Sequence, residues 1–127
     1  MADALVILVD GSNVRRSTWP NPSPAQLVEA LDAWRAGWRE KVAALVEVVV
    51  VFDGRSGAGS TELVEVIDVP YADDELVDVA REAIELGARV EAATSDRELC
   101  ERLEAAGATV TWGGGRLLRE LGLARGR

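Results

Sequence analysis

Short runs of β-branched and aliphatic residues alternate along this chain with longer segments whose apolar positions recur every three or four residues. That is the pattern of a parallel sheet covered by helices. Residues 4–9 (ALVILV) are apolar without alternation, as expected of a strand buried on both faces. Ser23-Pro24-Ala25-Gln26 offers Ser at the N-cap, Pro at the first helical position and Gln at the third, and predicts a helix over about 24–44. Its stripe is Leu27, Leu31, Trp34, Trp38, Val42 and Leu45, interrupted by Gly37 at a cost of roughly 1 kcal/mol relative to Ala. Residues 46–52 (VEVVVVF) predict a second strand, 54–60 (GRSGAGS) a flexible loop and 63–68 (LVEVID) a short third strand. A helix over 72–86 turns Leu76, Val77, Ala80 and Ile84 inward, with Gly87 placed to cap it. A fourth strand follows at 89–93 (RVEAA). A helix over 95–106 opens on a capping box of Ser95 and Glu98 and stops at Gly107. Residues 108–112 (ATVTW) predict a fifth strand and 116–123 a last helix. There is no internal repeat or linker, and the length suits one domain over 1–127.

Composition narrows the chemistry more than the fold. Apolar residues make up 48% and the charges are scattered, which excludes global disorder. No apolar run is long enough for a membrane span and no signal-type segment opens the chain, so a cytoplasmic protein is expected. The single Cys100 can form no internal disulfide or thiolate cluster and is expected to pack. The absence of histidine removes the usual general base, the commonest zinc ligand and the Ser-His and Cys-His nucleophile systems. Catalysis would have to run on carboxylates, hydroxyls, arginines and a bound ion. A net charge of −8 repels nucleic acid at long range, so a polyanionic substrate needs local attraction.

The acids stand at telling positions. Asp10 and Asp53 each close a predicted strand, Asp73 and Asp74 open a helix, and Asp96 follows the fourth strand. Parallel strands connected by helical crossovers collect their carboxyl ends along one edge, where open α/β sheets bind ligands. The 73/74 pair reaches that edge only if the loop after the third strand folds back over it. Taken singly, each acid also has a structural use: Asp10-Gly11 and Asp53-Gly54 as turns, the others as helix caps or first-turn acids. Their recurrence at the matching end of separate strands favours a shared site. Clustered carboxylates repel unless a cation neutralises them, and hard oxygen ligands suit Mg²⁺ or Mn²⁺.

The segment Leu8-Val9-Asp10-Gly11-Ser12-Asn13-Val14, with Trp19-Pro20 after it, resembles the opening of YacP-like NYN domains, relatives of the PIN-domain nucleases. The resemblance continues in order through Val51-Phe52-Asp53-Gly54, Ala72-Asp73-Asp74 and Ala93-Thr94-Ser95-Asp96, over roughly residues 5–110. It implies a PIN-like three-layer α/β/α sandwich with a mainly parallel sheet of about five strands. The implied activity is metal-dependent endoribonucleolytic cleavage, with ribosome-associated mRNA as the substrate linked to YacP-like members. By the same resemblance Asp10 would be the first-strand metal ligand and Asn13 its polar partner. Asp73 or Asp74, with Asp74 the expected ligand, would be the helix-borne acid, and Asp96 the acid after the fourth strand. Thr94 and Ser95 would tune the last position by hydrogen bonding, and Asp53 would be an outer ligand.

Arg15, Arg16, Arg55 and Arg97, with Asn13 and Ser95, are the expected substrate contacts, and Arg116, Arg119, Arg125 and Arg127 add charge near the end. Trp34 and Trp38 belong to the helix stripe, whereas Trp19 and Trp112 are the candidates for exposed contact with bases. The 54–60 loop lacks the lysine of a phosphate-binding Walker loop and is followed by a strand. Gly113-Gly114-Gly115 reads as a loop, with phosphate cradling the alternative. An aspartyl phosphatase built on Asp10 would need a second acid where Ser12 stands. The competing functional class is a noncatalytic domain of the same fold that binds RNA, a nucleotide or a protein.

Overall fold

The computed structural model describes residues 4–38 and 45–124. Five strands, β1 (Ala4–Asp10), β2 (Leu45–Asp53), β3 (Val64–Val69), β4 (Arg89–Ala93) and β5 (Thr109–Trp112), form one sheet in the order β3-β2-β1-β4-β5. All four pairings are parallel. The central strand β1 is the most apolar because it has a neighbour on each edge and helices on each face, so neither face of the strand meets water.

Five helices, α1 (Gly11–Arg15), α2 (Pro24–Ala36), α3 (Ala72–Glu85), α4 (Arg97–Ala106) and α5 (Gly114–Glu120), complete the fold. Alternate strand residues feed two separate cores. Leu5, Ile7, Val9, Val48 and Val50 pack with Val14, Leu27, Leu31, Leu117 and Leu118 from α1, α2 and α5. Val6, Leu8, Val49 and Val51 pack with Leu76, Val77, Leu99 and Leu103 from α3 and α4. The result is a three-layer α/β/α sandwich of the PIN-like kind, as expected. Each fully buried aliphatic side chain contributes roughly 1.5–3 kcal/mol of transfer free energy, so the two cores together dominate the folded state.

Several boundaries differ from the sequence expectation for local reasons. The capping box predicted for α2 forms, Ser23 Oγ accepting from Gln26 N at 3.0 Å and Ser23 N donating to Gln26 Oε1 at 2.8 Å. The helix nevertheless ends at Ala36, where Gly37 is the C-cap. Of the longer helix predicted to about 44, residues 39–44 lie outside the described residues, and Leu45 is already the exposed first residue of β2. The 54–60 loop has no regular structure, yet it is tied to the β3 edge by its hydroxyls. Ser56 donates from both N and Oγ to Asp68, and Ser60 Oγ accepts from Val66 N. The last helix starts at Gly114, two residues before the expected start, and ends at Glu120. Thus the triple-glycine run is the entry to α5. A Cβ on Gly114 would collide with Ser17 and crowd Val14 at the end of α1, which packs beside α5 in the same layer. Helix α1 was not expected. It follows β1 without a loop, and Gly11 permits this because a Cβ there would strike the Phe52 ring.

Candidate active site at the carboxyl edge of the sheet

The strand order reverses beside β1: the first crossover leads to β2 on one side, and the chain later returns to β4 on the other. Open α/β sheets leave a crevice at such a point. Here the crevice is a cavity of about 400 Å³ lined by Asp10, Asn13, Asp53, Asp73, Asp74 and Asp96, together with Arg16, Tyr71 and Arg102. Acids from four chain segments therefore meet in one volume. The loop after β3 does fold back over the edge, because Ala72 N, at the start of α3, donates to Asp53 Oδ1 at 2.9 Å.

Asp10 is the buried member, only 4% exposed. Thr94 Oγ1 donates to its Oδ2 at 2.8 Å and in turn accepts from Asp96 N at 3.1 Å, joining the ends of β1 and β4. Burial pushes the Asp10 carboxyl up to about 6, against the lowering effect of the Thr94 hydroxyl, with the Asp73 and Asp53 charges raising it further. Asp73 is also raised, by desolvation first and then by the charges of Asp96 and Asp53. Burial is the larger cause of both shifts, and the neighbouring carboxylates add to it.

Each remaining acid has a local commitment. Asp96, not Ser95, is the N-cap of α4: its Oδ1 accepts from Leu99 N at 2.9 Å, so the expected Ser95–Glu98 capping box does not form. Ser95 instead accepts at Oγ from Gly114 N at 2.8 Å and donates from its own N to Asn13 Oδ1 at 2.8 Å. Asn13 is thereby held with its carbonyl engaged and its NH₂ group left as a donor. Asp74 is exposed and pairs with Arg102 of α4 at 2.9 Å. Both Asp73 and Asp74 line the cavity, and Asp73 is the less exposed of the two. Among the described residues, no three acidic side chains are arranged as a ready-made cation cage.

The expected substrate contacts divide. Arg16 lines the cavity. Arg15 does not, because its Nε donates to Pro22 O at 2.7 Å and pins the α1–α2 loop. Arg55 and Arg97 are exposed and lie outside the cavity lining, and Arg125 and Arg127 lie outside the described residues. Trp19 is 85% exposed, as a contact residue would be. Trp112 is not: it is buried, edge-on to Trp34 with ring centroids 5.6 Å apart, and its Nε1 donates to Glu120. Sequence reasoning missed Tyr71 and Arg102 in the cavity wall. Tyr71 carried a signal in its position beside the 73/74 pair, but Arg102 carried none, since its role arises only when α4 packs on α3. A second groove of about 540 Å³ between α2 and the 54–61 loop contains Glu29 and Asp32 but none of the strand-end acids. No helix among the described residues is long and apolar enough to cross a membrane.

No family model matches the chain, and no curated protein matches it. Among solved structures, the crystal structure of a tryptophan-to-leucine mutant of Rae1 (YacP) from Bacillus subtilis matches with a TM-score of 0.66 and 25% sequence identity. The match covers 96% of this chain and 76% of that one. This chain therefore has a YacP-like fold, with its acid-lined cavity at the carboxyl edge of a PIN-like sheet.

Proposed function

We propose that this protein is a Mg²⁺- or Mn²⁺-dependent endoribonuclease of the NYN type that cleaves phosphodiester bonds in RNA, with ribosome-associated mRNA as its substrate class. The observation that carries the reading is the convergence of Asp10, Asp53, Asp73 and Asp96 on one cavity, with the buried Asp10 raised to about 6. The likeness to Rae1 (YacP) supports it at the level of fold.

The donor type suits a hard divalent cation, although no three acids among the described residues already stand in a cage around one position. All the clustered ligands are carboxylate oxygens, and the repulsion that raises Asp10 and Asp73 is relieved by a positive charge among them. Asp10, Asp96 and Asp73 would hold the ion, with Asp53 outside them and Asp74 balanced against Arg102. When bound, Mg²⁺ or Mn²⁺ supplies positive charge against the charge that builds on the phosphoryl oxygens and acidifies a neighbouring water. Thr94 orients Asp10, while Ser95 fixes Asn13 so that its NH₂ group is presented to a water or phosphate oxygen. Arg16 supplies the positive charge that a phosphate needs beside so many acids.

A noncatalytic RNA-, nucleotide- or protein-binding role for the same fold is favoured by one observation, the absence of a ready-made cation cage among the described residues. Labelled RNA incubated with Mn²⁺ and purified wild type, Asp10→Asn or Asp96→Asn separates the two. Metal-dependent cleavage that falls at least about a hundredfold in both variants is the expected result, since removing one charge-stabilising group typically costs that much. Equal cleavage by all three proteins, or none by the wild type, supports the binding role.

A further inference from the structure

We propose that Tyr71 is a base-stacking residue that, with Arg16 on the phosphates, makes the cavity selective for single-stranded RNA; this rests on the RNA reading above and adds its recognition element. Among the described residues four large apolar side chains are markedly exposed: Trp19, Leu45, Tyr71 and Leu86. Of these only Tyr71 lines the acid cavity. It is 75% exposed at the step from β3 into α3, two residues before Asp73. Its backbone is fixed from both sides, its carbonyl accepting from Glu75 N and the next residue donating to Asp53. The fold leaves the ring largely unburied in that position, at the rim of a site whose other walls are carboxylate, amide and guanidinium. An aromatic face there is the feature that can hold an unpaired base, whereas the bases of a duplex are already stacked.

Charge sets what else the cavity can hold. A phosphodiester entering the cavity meets several carboxylates, and two arginines line the same walls. Arg102 is occupied by Asp74. Arg16 is exposed and has no carboxylate within salt-bridge distance among the described residues. It is therefore the cation available to phosphate, and Tyr71 is the apolar surface available to the base.

The test is equilibrium binding, which does not depend on cleavage. Fluorescence anisotropy of a labelled RNA oligonucleotide, in EDTA and again with Ca²⁺, is measured for single-stranded, duplex and abasic forms of equal charge. Tyr71→Ala is expected to weaken the single strand by roughly tenfold or more, the effect of losing one stacked base, and to leave the abasic strand unchanged. Tyr71→Trp is expected to restore binding. Arg16→Ala is expected to weaken intact and abasic strands alike. Wild-type affinity of Tyr71→Ala for the single strand, an equal loss on both strands, duplex binding as tight as single-strand binding, or no RNA binding by the wild type would each overturn the proposal. If the expected binding pattern appears while Mn²⁺ produces no cleavage, the recognition element stands and the nuclease reading falls.

Discussion

At the scale of single residues, Asp10 is where burial, hydrogen bonding and charge meet. Its folded-state pKa, about 6, lies above the ordinary 3.8, so the native state keeps a proton that the unfolded chain gives up earlier. The sign follows: stability from this group is full below the unfolded value and is lost as pH rises through about 6. Asp10→Asn removes the ionisation cost and should stabilise the metal-free protein by up to about 3 kcal/mol well above that pH, with no gain in acid. Urea denaturation of both proteins across the pH range measures it, and a variant less stable than wild type in alkali contradicts the assignment. Thr94 works in the opposite direction, its hydroxyl lowering the Asp10 pKa. Thr94→Val should therefore move the Asp10 titration, followed by carboxyl-carbon NMR in metal-free protein, upward by roughly a unit, since hydrogen bonds to charged groups contribute roughly 1.5–3 kcal/mol.

At the scale of elements, the site is assembled from chain segments that end where their chemistry begins. Helix α4 shows how one side chain serves both purposes. Asp96 Oδ1 caps the helix at Leu99 N, while the residue lines the acid cavity. Asparagine caps as well as aspartate, whereas alanine forfeits about 1 kcal/mol. Asp96→Asn is thus expected to melt close to wild type while losing RNA cleavage, and Asp96→Ala to lose cleavage and melt several degrees lower. Calorimetry alongside the cleavage assay distinguishes them, and equal melting of the two variants would remove the cap from the account. Much of this level was legible in the sequence: all five strands, the Ser23 capping box and the start of α3 fall within a residue or two of their predicted places. Asp96 was misplaced in α4 because Ser95 and Glu98 satisfy the local capping pattern equally well. Ser95 is claimed instead by Gly114 and Asn13, partners 19 and 82 residues away.

At the scale of the whole molecule, charge is the controlling quantity. The net charge of −8 opposes RNA at long range, and the cavity adds to that unless a cation occupies it. Ions that bind the native state raise its melting temperature, so millimolar-range Mn²⁺ should shift thermal unfolding upward in wild type and much less in Asp10→Asn. An identical shift in both would place the ion elsewhere. Since Arg16 is the cation that the cavity leaves unpaired among the described residues, log affinity for single-stranded RNA should fall only gently with log salt, with a slope of about −0.7. A steep slope would bring arginines outside the cavity, such as Arg55 and Arg97, into contact with the strand.

The sequence by itself determined the alternation of strand and helix, the apolar continuity of β1 and the placing of acids at segment ends, because these depend on periodicity and on short-range backbone preference. It also excluded histidine chemistry outright. Only the tertiary structure decided that Asp73 and Asp74 both reach the cavity, that Arg102 is spent on Asp74, that Trp112 is core, and that Tyr71 stands at the cavity rim. Those outcomes depend on which helix packs beside which strand end, and contacts between residues far apart along the chain leave no local pattern from which to read them.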